Sequence, residues 1–244
     1  MKNIFWALCI SATLLGVSVT PLQRSVEPDH AMIRIDPTLM GANVIKFPLN
    51  IKMNVQGFPL GVISQLPRKN AFRGDPRGQA IHLFVDNLPY VDISNMPPLY
   101  VIKTAIPRGQ HLIRVLLCRS FGECLKEEGA FDLSVFNVSD RKHKVLLDFD
   151  ENAPLLTYNE PQGTFPEGAI LLDFYLTNCT LAPDGYKIKL RIDHQEVRVL
   201  SEWVPYSIQG LSKGPHKIRL TLVDSEGTPV EGDFNDIERE IFVK

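Results

Sequence analysis

Two histidines and two aspartates recur at matching places in this chain, and they are the residues with the clearest chemical potential. His111 and His216 each follow a glycine by two residues; Asp86 and Asp193 each end an apolar run. A repeated His and Asp could ligate a metal or form an acid–base pair. The simpler reading is architectural. A histidine at strand entry can bond turn backbone, and an aspartate can hold the following turn. Duplication favours that reading, because a folding residue is needed in both copies and a catalytic one in a single copy. Arg114 and Arg219 also recur. By alternation they face outward from their strands, where cross-strand ion pairs are the expected use. His82, without a repeated counterpart, is expected at the surface.

The best candidate for a partner contact is a loop from Gln56 to Gln79 that carries Arg68, Lys69, Arg73 and Arg77 against one acid, Asp75. Long loops without structure of their own are often functional. A net positive loop predicts attraction to an anionic envelope component or an acidic protein patch. Its apolar residues, Phe58, Leu60, Ile63, Leu66 and Phe72, could equally cover a sheet edge.

The cysteines are Cys9, Cys118, Cys124 and Cys179. Cys118 and Cys124 are close enough in sequence to close a small loop if they face each other, leaving Cys179 over. The plainer expectation is that all three cysteines beyond the leader are small buried apolar residues. No C-x-x-C occurs, so zinc-ribbon and thioredoxin readings lack support. Nucleophile-elbow, H-E-x-x-H, P-loop and dinucleotide motifs are likewise missing. The acid pairs Asp148/Asp150 and Glu238/Glu240 alternate, and read as solvated charges rather than glycosidase carboxylates. No catalytic, metal or cofactor site is therefore expected.

The elements that must hold these residues are strands. Ile81, Leu83 and Val85 alternate with His82, Phe84 and Asp86; Ile188, Leu190 and Ile192 alternate with Lys189, Arg191 and Asp193. Such alternation marks a strand buried on one face. Similar runs predict strands at 49–55, 100–104, 131–138, 170–176, 198–200, 205–208 and 239–243. No window carries a helical stripe.

The chain also repeats itself. Residues 80–87 align with 187–194, and 109–138 with 214–243, with three identities in the first block and eight in the second. Eleven matches in 38 positions exceed the roughly 2–3 that average composition predicts. A period this long is a duplicated domain rather than a solenoid repeat. Strand spacing within units of this size predicts two immunoglobulin-like β-sandwiches, over 30–146 and 152–244, joined by a linker at 147–151.

The 244 residues, 44% hydrophobic and 22% charged, exclude a disordered or multi-span membrane protein. A net charge of −2 offers no nucleic-acid footprint. At the N-terminus, Lys2 precedes an apolar stretch from Ile4 to Leu15, with small residues at Gly16 and Ser18. This is the pattern of a signal peptide over 1–20, cut near Val19 and followed by a flexible spacer over 21–29. Export to a periplasm or the exterior is expected. Retention of the segment as a single anchor is the alternative membrane association.

Val85–Tyr90 (VDNLPY), Gly109–Arg114 (GQHLIR), Glu123, Lys126 and Ala130-Phe131 resemble a set of exported bacterial proteins with tandem immunoglobulin-like (fibronectin III-like) units. Pro154–Tyr158, Ile170–Leu176 and His216–Asp224 are similar to the same set. The resemblance covers most of the chain after residue 40. It implies a non-enzymatic binding or structural module of the cell envelope, or a plain spacer, and brings no established activity. A carbohydrate-processing or metal-dependent site between the two units is the competing expectation. Converging carboxylates or histidines would favour it.

Overall fold

The computed structural model describes residues 16–44, 46–139 and 149–244, so the apolar stretch expected as a signal lies outside the described residues. In chain order, β1 spans Ser18–Pro21. The first unit follows with β2 Met32–Ile35, β3 Asn43–Val44, β4 Leu49–Gln56, β5 Ala80–Val85, β6 Val91–Ile93, β7 Leu99–Ile102, β8 Gly109–Cys118 and β9 Phe131–Val138. The second contains β10 Leu155–Glu160, β11 Gly163–Phe165, β12 Ile170–Thr177, β13 Lys187–Ile192, β14 Gln195–Leu200, β15 Tyr206–Gln209, β16 Gly214–Val223 and β17 Asp236–Val243. The described residues contain no α-helix.

Each unit is an immunoglobulin-like, fibronectin III-like sandwich. In the first, the sheet β2-β4-β7 faces the sheet β3-β9-β8-β5-β6. The second repeats that plan, with β10-β12-β15 facing β11-β17-β16-β13-β14. The inner face of each alternating strand makes the core. Ile81, Leu83, Val85, Ile113, Val115 and Leu117 fill the first unit, and Ile188, Leu190, Ile192, Ile218, Leu220 and Leu222 the second. The aligned sequence blocks correspond strand for strand: β5 to β13, β8 to β16 and β9 to β17.

The second unit is not built from one stretch of chain. Strand β1 pairs antiparallel with β15, in register from Ser18↔Gln209 to Pro21↔Tyr206, and gives that sheet a fourth strand. Val19 enters the second core at 6% exposure. The stretch expected as a flexible spacer is instead a fixed strap. The Leu22 amide donates to Pro205 O, and Arg24 donates to Trp203 O and lies over the Trp203 ring. Ser25 bonds Glu123 through both its amide and its hydroxyl. The Glu27 carboxylate then accepts the amides of Lys126 and Glu127 in the first unit. Hydrogen-bond donors and acceptors spaced along 22–27 fix this segment; it is not a polar linker left in water.

The units meet through the outer face of β5 and β8 in the first and of β10 and β12 in the second. His82, Phe84, Leu112, Arg114 and Leu116 are all buried there, opposite Leu155, Thr157, Asn159, Asp173 and Tyr175. A dedicated aromatic cluster seals the seam: Phe131 stacks on Tyr175 at 4.7 Å, and Tyr175 meets Trp203 edge-on at 5.0 Å.

Candidate functional site: a polar pocket at the seam

The repeated His–Asp pairs form the same local device twice. Asp86 and Asp193 sit in the left-handed region at φ 51° and 50°, each just past a strand end, a conformation that short Asp side chains tolerate. Each carboxylate accepts from a histidine Nδ1 at 2.7 Å and from the next residue's backbone amide at 2.9 Å. Each imidazole Nε2 faces a carbonyl, Pro107 O at 2.9 Å and Ser212 O at 2.8 Å. Both ring nitrogens therefore face acceptors. This arrangement ties the turn after β5 or β13 to the entry of β8 or β16.

For His216, burial alone would lower the pKa, but the Asp193 carboxylate and the Ser212 carbonyl outweigh it and hold the pKa above its usual value. The unfolded value is about 6.5. A raised folded pKa means that this contribution to stability is fully present below about pH 6.5 and is lost as pH rises through the folded pKa. Denaturant melts at pH 5.5 and pH 8.5 should show a larger unfolding free energy at pH 5.5. His216→Gln should reduce that difference; an unchanged difference would remove His216 as its source.

The two repeated arginines have diverged. Arg219 is half-exposed and makes a bidentate ion pair with Asp236, the cross-strand use its alternation predicts. Arg114 points outward from its sheet but not into water. The second unit covers it, leaving 1% exposed. It donates to Asp86 O at 2.6 Å, Thr157 Oγ1 at 3.0 Å and Leu156 O at 3.2 Å. Desolvation and the nearby Arg239 guanidinium both lower its pKa. Carbonyls and the Phe84 and Phe234 rings, at 5.5 and 4.6 Å, take the place of a carboxylate partner.

The basic loop is folded back onto the protein. Arg68 pairs with the nearly buried Glu123 at 3.0 Å and also donates to Gln23 O in the strap. Lys69 bonds Gln65 Oε1 at 2.7 Å. Arg73 crosses to the second unit, donating to Thr164 O at 2.6 Å and Gln162 O at 3.2 Å and lying 4.1 Å over Phe165. Arg77 pairs with Asp75 at 2.5 Å and Asp92 at 2.9 Å. Arg68 and Arg77 are thus paired with carboxylates, while among the described residues Lys69 and Arg73 hydrogen-bond only neutral acceptors, the Arg73 charge acting on Glu160 across the pocket.

Under this loop lies a pocket of about 430 Å3, whose walls include Arg73, Arg77, His82, Tyr90, Asp92 and Glu160. His82, expected at the surface, is 3% exposed. Its ring stacks on Tyr90 at 3.8 Å. Nδ1 meets Asn159 Oδ1 at 2.6 Å, and Nε2 meets Asp92 Oδ1 at 3.1 Å. The Asn159 amide donates to Gly122 O and Asp173 Oδ2 at 2.8 and 2.9 Å, which fixes its oxygen toward His82. Glu160 accepts the Tyr90 hydroxyl and the Gln162 amide. Desolvation nevertheless raises the Glu160 carboxyl above its ordinary range. Gly122 is held at φ 90°, a conformation that favours glycine, and a Cβ there would stand in tight contact with Glu160, 3.0 Å from its Cγ.

Cys118 and Cys124 are joined in a disulfide, not left as separate apolar residues. They are bridge partners at the end of β8, and the hairpin between them brings their side chains together. That hairpin ties several segments. Ser120 Oγ accepts the Ser64 amide, Ser120 O accepts the Asp75 amide, and the Cys124 amide donates to Asp173. Lys126 Nζ completes the junction with a 2.6 Å bond to Asp173, both side chains being essentially buried. Cys179 is a free thiol that burial pushes up to about 11, so it is protonated at neutral pH.

Sequence reading missed this seam. Its signal was a contrast between the copies: the outward positions of β5 and β8 carry His82, Phe84, Leu112 and Leu116, where β13 and β16 carry Lys189, Arg191, Lys217 and Thr221.

No protein-family model and no curated protein matches the sequence. Among solved structures, the chain is similar to the fibronectin(III)-like modules of Clostridium thermocellum CbhA, at 14% identity, covering 87% of this chain and 94% of that one, with a TM-score of 0.30. The central fibronectin-III array of RIM-binding protein matches at 9% identity over 88% of this chain and 68% of that one, TM-score 0.26. A Bacteroides ovatus mixed-linkage glucan utilization locus protein, SGBP-B, in complex with a heptasaccharide, matches at 14% identity over 87% and 47%, TM-score 0.25. Scores this low carry no argument; the fold rests on the strand order and register above.

Proposed function

We propose that this chain is an exported, non-enzymatic binding module of the bacterial cell envelope, acting as one two-sandwich body that engages an anionic envelope component or an acidic protein patch. The observation that carries this reading is the anchored basic loop. Its Lys69 and Arg73 hydrogen-bond only neutral acceptors among the described residues, with Arg73 in electrostatic reach of Glu160 across the pocket, on a mature chain of net charge −3 once Lys2 is removed with the leader. A charged surface held in place loses less entropy on binding than a mobile loop does. Attraction of this kind weakens as salt rises.

Affinity capture from envelope extract tests the proposal. The mature protein should retain a partner that elutes with salt, and Lys69→Ser/Arg73→Ser should lose it. Arg68→Ser and Arg77→Ser remove internal ion pairs instead, so they should lower thermal stability more than they lower capture. Capture and salt dependence that survive the Lys69/Arg73 change would exclude the loop as the contact surface.

One observation favours a second reading, an acid–base or hydrolytic site between the units. Glu160, Asp92, Asp75 and His82 all line the seam pocket, and the raised Glu160 carboxyl suits a proton donor. Turnover of an envelope glycan that Glu160→Gln abolishes in a folded protein would establish it.

A further inference from the structure

We infer that a second pocket at the seam, built by the loop between β16 and β17 against the turn after β5, binds a small organic cation: an ammonium group carried on an apolar body. This goes beyond the loop-mediated contact and does not depend on it. The pocket has a volume of about 390 Å3, and small-molecule sites run from about 300 Å3 upward. Both units build it. Leu112 and Val135 of the first unit and Leu155 of the second, all buried, form its floor. Phe149 and Phe234, half-buried, pack against that floor as aromatic walls. Asp86, Asp150, Glu231 and Asp233 supply its charge, and among the described residues neither Lys nor Arg lines it.

The carboxylates are not equally available. Asp86 spends its oxygens on His111 Nδ1 and the Leu112 amide. Asp150 accepts the Asn152 amide at 2.9 Å. Glu231 and Asp233 are exposed, and among the described residues their carboxylates make no hydrogen bond or ion pair. The loop that carries them is nonetheless fixed. Asn235, 2% exposed, accepts the Leu156 amide at 2.9 Å and donates to Pro154 O and Glu231 O at 2.9 and 3.0 Å. From the first unit, Asn87 donates to Asp233 O at 2.6 Å. The Arg114 guanidinium packs on Phe234, 4.6 Å from its ring centre. The backbone under two unpaired carboxylates is thus set before a ligand arrives, which lowers the ordering cost of binding.

This combination selects the ligand. An apolar floor beside a carboxylate rim is complementary to an amphipathic cation. The apolar body displaces water from Leu112, Val135 and Leu155, while the ammonium faces Glu231 and Asp233. An aromatic wall adds attraction for the same charge when the cation lies over the ring face, within about 6 Å of its centre. A hard metal ion such as calcium would require about six to eight converging oxygens, and the aliphatic floor supplies none. An anionic ligand would meet like charge at the rim. The basic loop and this acid-rimmed pocket therefore suit ligands of opposite charge.

The test uses the full mature chain and three probes of one shape, phenylbutylammonium, phenylbutanol and phenylbutanoate, titrated by calorimetry. One ammonium should bind per chain, about fivefold or more tighter than the alcohol, and the carboxylate should show no binding. Raising salt from about 50 to 300 mM should weaken the ammonium by about threefold and should not weaken the alcohol. Methyl-resolved NMR of the wild-type chain should place the shift changes at Leu112, Val135 and Leu155. Glu231→Gln combined with Asp233→Asn should bring the ammonium down to the affinity of the alcohol; both residues are exposed, so the fold should hold. Ala153→Phe, which fills the pocket from its wall, should block both probes, and the wild-type measurements decide the case if that variant fails to fold. Equal affinity for ammonium and alcohol, shift changes confined to another site, or binding that survives the double carboxylate change would each overturn the proposal. So would a concentration-dependent dimer that the ammonium does not dissociate, since a second copy would then cover this face.

Discussion

Replacing Asp173 with leucine should destabilise the protein by about 3–5 kcal/mol, the cost of leaving one member of a buried ion pair alone. Asp173 is fully buried and accepts from Lys126 Nζ at 2.6 Å, Asn159 Nδ2 at 2.9 Å and the Cys124 amide at 3.2 Å. The leucine would strand a buried ammonium and two polar hydrogens. Desolvation pushes the Asp173 carboxyl pKa up against the pull of Lys126, so the pair is not a strong net source of stability. Its consequence is specificity: it forms only when the first unit's hairpin meets the second unit's β12. Lys126→Met combined with Asp173→Leu should therefore recover a large part of the loss, with a coupling of about 2 kcal/mol or more in a double-mutant cycle. Calorimetry of the single variant should show two transitions where the wild type shows one. A loss below about 1 kcal/mol, or strict additivity in the cycle, would contradict this account.

Much of the framework could be read from the residues. Alternation located β5, β8, β13 and β16 because their inner faces are uniformly aliphatic. The duplicated Gly-x-His marked equivalent strand entries because the same turn must be held in each copy. The short strands β3, β6 and β11 carried no such signal: two or three residues are too few for a period to show. Inner-face burial is a local property, whereas burial of an outer face depends on what docks there. That is why Arg114 and Arg219, identical in type and position, have opposite surroundings. It is also why His82 was expected in water. In β12, Asp173 sits within the apolar run Ile170–Leu176. A lone acid in a strand buried on both faces was the readable trace of the interface, but its partner Lys126 lies 47 residues away in a charged hairpin, where nothing local marks it for burial. The four basic loop residues were recognisable as a cluster, while their acceptors in the strap, in β6 and around β11 are distant in sequence.

Removing residues 16–27 from the chain should destabilise the second unit by about 3 kcal/mol or more and make the protein self-associate. Burial of a valine side chain contributes roughly 1.5–3 kcal/mol, and Val19 is lodged in the second core. The backbone pairing of β1 with β15 adds bonds whose net contribution is about 0.5–1.5 kcal/mol each. Without β1, strand β15 becomes an open sheet edge that invites pairing with another chain. A piece of residues 152–244 lacks the fourth strand of its own sheet and exposes Tyr175, Trp203 and Asp173 at the seam. It should aggregate or bind dyes specific for exposed apolar surface, and a peptide of residues 16–28 added in excess should suppress this. A cut after Ser18, at the end of the expected signal, would be compatible with this pairing, since Val19, Thr20 and Pro21 would retain their partners Ile208, Ser207 and Tyr206. A cut after Pro21 would not be, and should give the phenotype of the deletion. Val19→Asp separates the core contact from the backbone ladder, because it keeps the strand while placing a carboxylate in an apolar slot. It should be as destabilising as the deletion, whereas Thr20→Ala, on the exposed side of the strand, should change stability by less than about 0.5 kcal/mol. Equal behaviour of the two variants, or a monomeric and cooperatively folded 152–244, would show that the N-terminal strand is an accessory rather than a part of the second sandwich.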